Sequence, residues 1–544
     1  MVAARLTSFS KFLITLLILA LIFFGGQYIY NNTSFGQNLQ QTVEEAKQEE
    51  TASKNQTTSN ETGNTSTSST ANSTPATDRD GTKVLRVQLV SWGGYAPGLY
   101  FNEGAAANSR SRYFQDYGFK VDFKLNNDLL GALDAWFAGE YDILVQTADA
   151  FPLYTAPDEI NELGPKAFMQ VDWSRGGDAI IVKRGIKTVN DLKGKKIAVA
   201  VPSPAQTLLI TSLEAAGLSY ADVEVVKTTD NLKSAELFKS DEVDAAVVWS
   251  PDDVFATQAV PGSKILLTTK EQSHIIADIM FASQKFIDEN KDMINGFYEG
   301  WMRGVAELEN TANQEKASKY MAELNGVGPA DAMGMMSVVK WTGHGDNKDF
   351  FGLNRGYSGQ NGGDLYSKMA QNFVKTGDAD KVAPPWRSVI YTGAIQAADQ
   401  KLTGSEYGSE KKKVFKKSTS DATAPAISSK PVSISFNTGK FELGENAKTI
   451  IDLQFAETAK IFGNAKIRIE GNTDNVGGID MNVALSKKRA QSVADYLQSQ
   501  YKMDPNRFII IGNGPNKPVP GCEQNQNDQC KAKNRRTDFS LIAD

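Results

Sequence analysis

In GNTDNVGGIDMNVALSKKRAQSVADYL, from Gly471 to Leu497, Leu485, Val493 and Leu497 fall on one helical stripe at i, i+8 and i+12. Arg489 shares that stripe, four residues from both Leu485 and Val493. A guanidinium on a face that should bury apolar surface calls for an anion, and its planar fork grips a carboxylate through two parallel hydrogen bonds. Upstream, four short stretches gather polar and aromatic groups: Trp92-Gly93-Gly94-Tyr95, Thr147-Ala148-Asp149, Ser203-Pro204-Ala205-Gln206 and Trp249-Ser250-Pro251-Asp252. Trp92, Tyr95 and Trp249 suit stacking on a ligand, or the packing of an interface. Ser203 is placed to cap a helix with Pro204 at its first position, leaving N–H groups for an anion or serving as an ordinary cap. Asp149, Asp178 and Asp278 suit an amino group, or are solvated, and Arg175 is the nearest basic candidate. A helix N-terminus plus acids would fit a small zwitterion.

Catalytic constellations are missing from the sequence. It holds no G-x-S-x-G elbow, Cys-His pair or carboxylate pair of fixed spacing. His274 in SHII and His344 in TGHGDN read as loop or rim residues rather than bases. With two cysteines and no metal-ligand spacing, neither zinc nor haem is supported. No cofactor and no enzymatic activity are expected. The net charge of −6 gives no reason to expect a nucleic acid.

These groups need elements to position them. Between 84 and 403, strands such as Val84–Val90, Asp142–Asp149, Ile197–Val201, Val223–Val226 and Asp244–Trp249 alternate with helical stretches such as Asn127–Gly139 and AQTLLITSLEAAG. Apolar strands separated by helices predict an α/β fold with a parallel sheet covered on both faces. Ligands in such folds sit beyond the carboxyl ends of the strands, where the four stretches lie. From 430 to 544 the alternation resumes with a strand at Val432–Phe436, a long helix over Glu445–Phe462 and a half-buried strand in AKIRIEGNTD. The Arg489 helix, RFIIIG and a last strand at Thr537–Ile542 complete a small α/β sandwich.

The N-terminal segments set the compartment. Residues 1–11 form a short cytoplasmic N-terminus, and Phe12–Tyr30 is an uncharged run long enough to cross about 30 Å of hydrocarbon as one helix. Arg5 and Lys11 precede it, which places the N-terminus in the cytoplasm and the bulk in the periplasm. A cleaved signal peptide is the alternative, although the small-x-small cleavage site is missing. Residues 31–82, rich in Ser, Thr and Asn, form a disordered tether. Residues 404–429, with the run KKKVFKK, read as a solvated linker. An exported location permits a disulfide between Cys522 and Cys530, with free thiols as the alternative.

Two stretches resemble known families. TVNDLKGKKIAVAVPSPAQTLLITSLEAAGLSYADVEVV with VDAAVVWSP is similar to periplasmic substrate-binding proteins of the nitrate, sulfonate and taurine type. That resemblance covers 84–403 and implies two α/β lobes closing on a small ligand. The pattern Asn482, Leu485, Ser486, Arg489, Ala490, Val493 and Leu497, with Thr473-Asp474-Asn475 and Asn534-Arg535-Arg536, resembles the OmpA-like peptidoglycan-binding domain. The resemblance implies that Asp474 and Arg489 hold the diaminopimelate of the stem peptide, with Asn482 and Arg536 in support. Asn472 departs from it, since a histidine is common there.

Together these readings describe an inner-membrane, single-pass protein attached to the cell wall, with a small-ligand module that senses or scaffolds. Delivery of solute to an ABC permease is one alternative. The other is a stator-like subunit with a multi-span membrane partner, against which the acid-free Phe12–Tyr30 helix counts.

Overall fold

The computed structural model describes residues 74–418, 420–434, 436–437 and 439–544. The apolar segment 12–30 and the tether as far as residue 73 lie outside the described residues. Among the described residues no helix is long and apolar enough to cross a membrane.

The tether gives way to structure earlier than its composition suggests. Ala76–Thr77 pairs antiparallel with Lys83–Leu89, and Lys120 reaches back to Asp78 and Asp80, each at 2.9 Å. Lys83–Leu89 in turn runs parallel to Lys120–Leu125. Beside them lies a four-stranded sheet in the order Val339–Trp341, Pro165–Ser174, Ala277–Ser283 and Leu144–Thr147. These strands make up the first lobe. The second lobe is a five-stranded sheet ordered Lys264–Thr268, Asp178–Val182, Ala245–Trp249, Lys196–Ala200 and Glu224–Thr228.

The chain passes from the first lobe to the second at 175–177 and returns at 269–276. Ser174 Oγ and Thr269 Oγ1, 2.7 Å apart, tie the two crossings together. Asp178–Val182 is buried along its whole length, as a strand covered on both faces should be. The sheets are mixed, not purely parallel. Ala245–Trp249, Lys196–Ala200 and Glu224–Thr228 pair in parallel, whereas the strands flanking the crossings run antiparallel to their neighbours. A chain re-entering a sheet from the other lobe arrives against the direction set by the βαβ units.

The C-terminal sheet is ordered Ala426–Val432, Thr537–Ile542, Lys466–Asn472 and Phe508–Gly514. Only the last pair is parallel, and the 23-residue helix Ile479–Tyr501 supplies the crossover that a parallel pair requires. Gly471 and Gly512 let this helix lie close to the sheet. A Cβ on either would come within 2.2 Å of the Ser486 carbonyl oxygen or 2.5 Å of that of Val483.

One expectation needs correction here, and two gain detail. The first strand ends at Val432 instead of starting there, and the following residues leave the sheet to wall a cleft. The helix expected over Glu445–Phe462 runs unbroken from Glu445 to Ile461, with one wider turn at Asp452–Ala456. The expected linker is exposed over most of its length, its lysines included, but is pinned where Phe415 is buried, with the Arg507 guanidinium 5.6 Å from its ring centre, and where Glu410 pairs with Arg175.

Candidate functional site

Two sites emerge, one in each folded part. In the C-terminal domain the buried face of Ile479–Tyr501 is apolar toward its end, through Ala490, Val493, Ala494 and Leu497. Toward its start that face is polar, through Asn482, Ser486 and Arg489, while Leu485 is only half-buried. Ser486 accepts from the Gly514 N–H, and Asn482 donates to the Val476 carbonyl, which holds the loop that carries Asp474.

Arg489 is 9% exposed and packs over the Phe436 ring, 4.9 Å from its centre. Its Nε donates to the Lys440 carbonyl at 3.0 Å and an Nη to that of Asn437 at 3.4 Å. Among the described residues no carboxylate lies within ion-pair distance of it. Burial lowers its pKa, and the nearby charge of Asp474 opposes that shift. Asp474 itself pairs with Arg535 at 2.6 Å and accepts from the Val476 N–H. Arg536 donates instead to Asp538 and to the Lys517 carbonyl. The residue that steadies Asp474 is therefore Arg535, which sequence reasoning passed over. Adjacent arginines line one cleft but take different acids, and only the three-dimensional register tells which one meets Asp474.

The result is a cleft of 480 Å³ lined by Phe436, Asn472, Arg489, Lys533, Arg535 and Arg536 among others. Its cationic lining suits a carboxylate, while Asp474 at its edge suits an ammonium. The disulfide Cys522–Cys530 closes a loop beside it. Asn534 fastens that loop by donating to the Cys522 carbonyl and accepting from the Val519 N–H, which fixes the segment carrying Arg535.

The second site lies at the crossings between the lobes. Asp278 stands directly opposite both Thr147 and Asp172 on neighbouring strands. Tyr95 donates its hydroxyl to Asp278 at 2.5 Å, Trp92 its indole N–H to Asp172 at 3.1 Å, and Ser174 its hydroxyl to Asp178 at 2.6 Å. Gly94 must be glycine, because a Cβ there would fall 1.5 Å from Asp172 Oδ2. Burial pushes Asp178 up to about 7, against Ser174 and Trp249, which donate toward it. Asp278 also rises to about 7, through burial and the charge of Asp178. Asp172 is raised by burial and by the charges of Asp278 and Asp178.

Asp149 is fully buried, and burial raises it to about 7. The hydroxyls of Thr207 and Thr147 face it and pull the other way, although neither reaches a well-formed hydrogen bond. Both Asp149 oxygens and both hydroxyls are buried without a partner.

Trp92, Gly94, Asp178 and Asp278 thus surround Asp172, which the sequence reading missed, with Tyr95 and Thr147 at Asp278, Trp249 at Asp178 and Asp149 within reach of the Asp178 charge. Its signal was a lone acid inside the apolar run FMQVDW. Ser203 and Gln206 do other work. Ser203 caps Pro204–Ala215, accepting from Ala205 N–H and donating to the Ala200 carbonyl. Gln206 donates to Asp378 at 2.5 Å. Arg175 points to Glu410 and His274, away from the acids. His274 sits in a loop, as read, half-buried and edge-on to Trp173, whereas His344 opens the helix His344–Phe350 and is buried between Tyr298 and Asp399.

The OmpA family model matches residues 435–535, and the NMT1/THI5-like model matches residues 106–315. A protein of Brucella abortus named as a binding protein is 32% identical over 151 residues, covering 27% of this chain and 46% of that protein. Outer membrane protein A of Bordetella avium is 33% identical over 107 residues, covering 20% of this chain and 53% of that protein. The chain spans about half the length of each of these relatives. The periplasmic aliphatic sulphonate binding protein of Escherichia coli aligns at 18% identity with a TM-score of 0.44, covering 57% of this chain and 92% of that one. The chain thus joins a C-terminal stretch that matches the OmpA family to a middle stretch that matches the NMT1/THI5-like family.

Proposed function

We propose that this is an envelope protein fastened at two ends, with a small-ligand-binding domain between them that acts as a sensor or scaffold. Residues 12–30 hold it in the inner membrane, and the C-terminal cleft holds the diaminopimelate of peptidoglycan. The observation that carries the reading is Arg489, which faces a cationic cleft and, among the described residues, hydrogen-bonds only to backbone carbonyls. A buried guanidinium without a carboxylate is a poor scaffold element and a good receptor for one. In this reading Arg489 takes the carboxylate and Asp474, steadied by Arg535, takes the ammonium. Asn482 shapes the loop between them.

A sensing role draws support from how the parts touch. Asn190 of the second lobe and Ser429 of the first C-terminal strand exchange two hydrogen bonds of 2.9 Å. The return crossing meets the same domain, where the His274 N–H donates to the Ile461 carbonyl. A change in lobe angle would therefore reach the wall domain. The test is co-sedimentation of the full chain with purified sacculi. Arg489→Ala should release it to the supernatant, and unchanged retention would remove the clamp assignment.

A further inference from the structure

Asp149, Asp172, Asp178 and Asp278 lie at the lobe crossings, at most 7% exposed, and two of them stand directly opposite each other on paired strands. Like charges in that position repel, and buried carboxylates need a counter-charge or a proton. No lysine or arginine makes an ion pair with any of the four among the described residues. Beyond the acids, the Thr207 hydroxyl, on the helix Pro204–Ala215, is fully buried, faces Asp149 and has no partner. Asp149, whose two oxygens close no hydrogen bond, thus lies beside two hydroxyls that close none either, and no cation offsets its charge.

We propose that the lobe crossings bind a small organic cation with an ammonium head, its charge seated at Asp149 and shared by Asp172, Asp178 and Asp278. This rests on the ligand-binding reading of the middle domain and names the chemical class of its ligand. A metal ion fits less well, since no three acid, histidine or cysteine side chains converge at ligating distance among the described residues. Trp92 and Trp249, beside Asp172 and Asp178, supply the indole faces that alkylammonium groups favour. Trp249 is 37% exposed and stands at the solvent edge.

The groups facing the acids set the pH response: Tyr95 and Trp92 from the first lobe, Ser174 and Thr269 from the crossings, and Thr207, Trp249 and Asp253 from the second lobe. None of them is cationic, so an ammonium must displace protons, and binding should tighten as pH rises.

The experiment uses the full-length protein in detergent, titrated with ethylammonium, choline and ethanesulfonate at matched ionic strength, read by tryptophan fluorescence and melting temperature at pH 6 and pH 8. The expected result is a saturable response to an ammonium probe, at least fivefold tighter at pH 8, with no response to ethanesulfonate. Asp149→Asn should weaken that binding at least tenfold, and Thr207→Val, which removes an unpaired hydroxyl, should weaken it less. A response to ethanesulfonate alone would overturn the cationic assignment and leave the small-ligand reading standing. No response to either ammonium probe at either pH would also overturn it, with the acids then simply proton-bound. Sacculus binding, measured on the same preparation, reports on the wall clamp independently.

Discussion

Arg489 keeps its charge in a half-built coordination shell: two carbonyls below, the Phe436 ring beside it and a cleft in front. Losing the charge-assisted bonds a ligand would add there costs about 1.5–3 kcal/mol each, so Arg489→Ala should weaken binding of a diaminopimelate peptide by at least ~10-fold. Arg489→Lys should recover part of that, because an ammonium keeps the charge and loses the fork. Isothermal titration with the peptide checks both. Asp149 makes a different prediction, on stability. Its folded pKa of about 7 lies above the ordinary carboxylate value, so the proton it retains favours the fold fully in acid. That contribution drains away as pH rises through about 7. Asp149→Asn mimics the protonated acid and should flatten the fall in melting temperature between pH 5 and pH 8, measured without ligand. Parallel curves for the two proteins would refute this. At this scale the sequence was legible in part. Arg489 stood out because its type contradicted its stripe, whereas Asp172 was hidden because one acid in an apolar strand looks like noise until Asp278 is seen opposite it.

Elements decide which of these residues can meet. The alternation of apolar strands and helices announced both α/β parts, and the capping serine and proline at 203–204 marked a helix start that the structure places there. The antiparallel strands at the crossings were not announced, because pairing direction depends on which lobe the chain comes from and leaves no periodic trace. Two elements of the C-terminal domain invite measurement. The loop closed by Cys522–Cys530 spans eight residues in sequence separation, and loop-closure entropy predicts a loss of about 2–3 kcal/mol when both cysteines become serine. Chemical denaturation of the full chain with and without the bridge tests this. Arg507 is fully buried, and its guanidinium donates to the carbonyls of Ala459, Phe462 and Ala465 where the helix Glu457–Ile461 ends. Burial lowers its pKa to about 10. Arg507→Leu would strand the Ala459 and Ala465 carbonyls at roughly 1–3 kcal/mol apiece, while that of Phe462 keeps the Ala465 N–H, so the domain should melt at a clearly lower temperature, as circular dichroism would record.

At the scale of the whole molecule, the lobes are held together by more than their crossings. Asp378, after the helix Gly362–Thr376, accepts from Lys227 and Gln206 of the second lobe, and Lys368 pairs with Glu214. Asp378→Ala should release this latch and let the lobes part, seen as a larger radius of gyration in small-angle scattering that a bound ligand reverses. Identical scattering curves would show that the crossings alone set the angle. The C-terminal sheet has a further property in its register. Ala426 lies opposite Ile542, at the end near Lys466, while Val432 lies opposite Thr537, at the end near Gly471 and the cleft. The chain thus enters the sheet at one end and would be gripped at the other. Tension between them runs along the strands, across hydrogen bonds that stand perpendicular to it. Such a load is shared by the whole ladder at once and cannot peel it apart rung by rung, so the domain is built to be pulled.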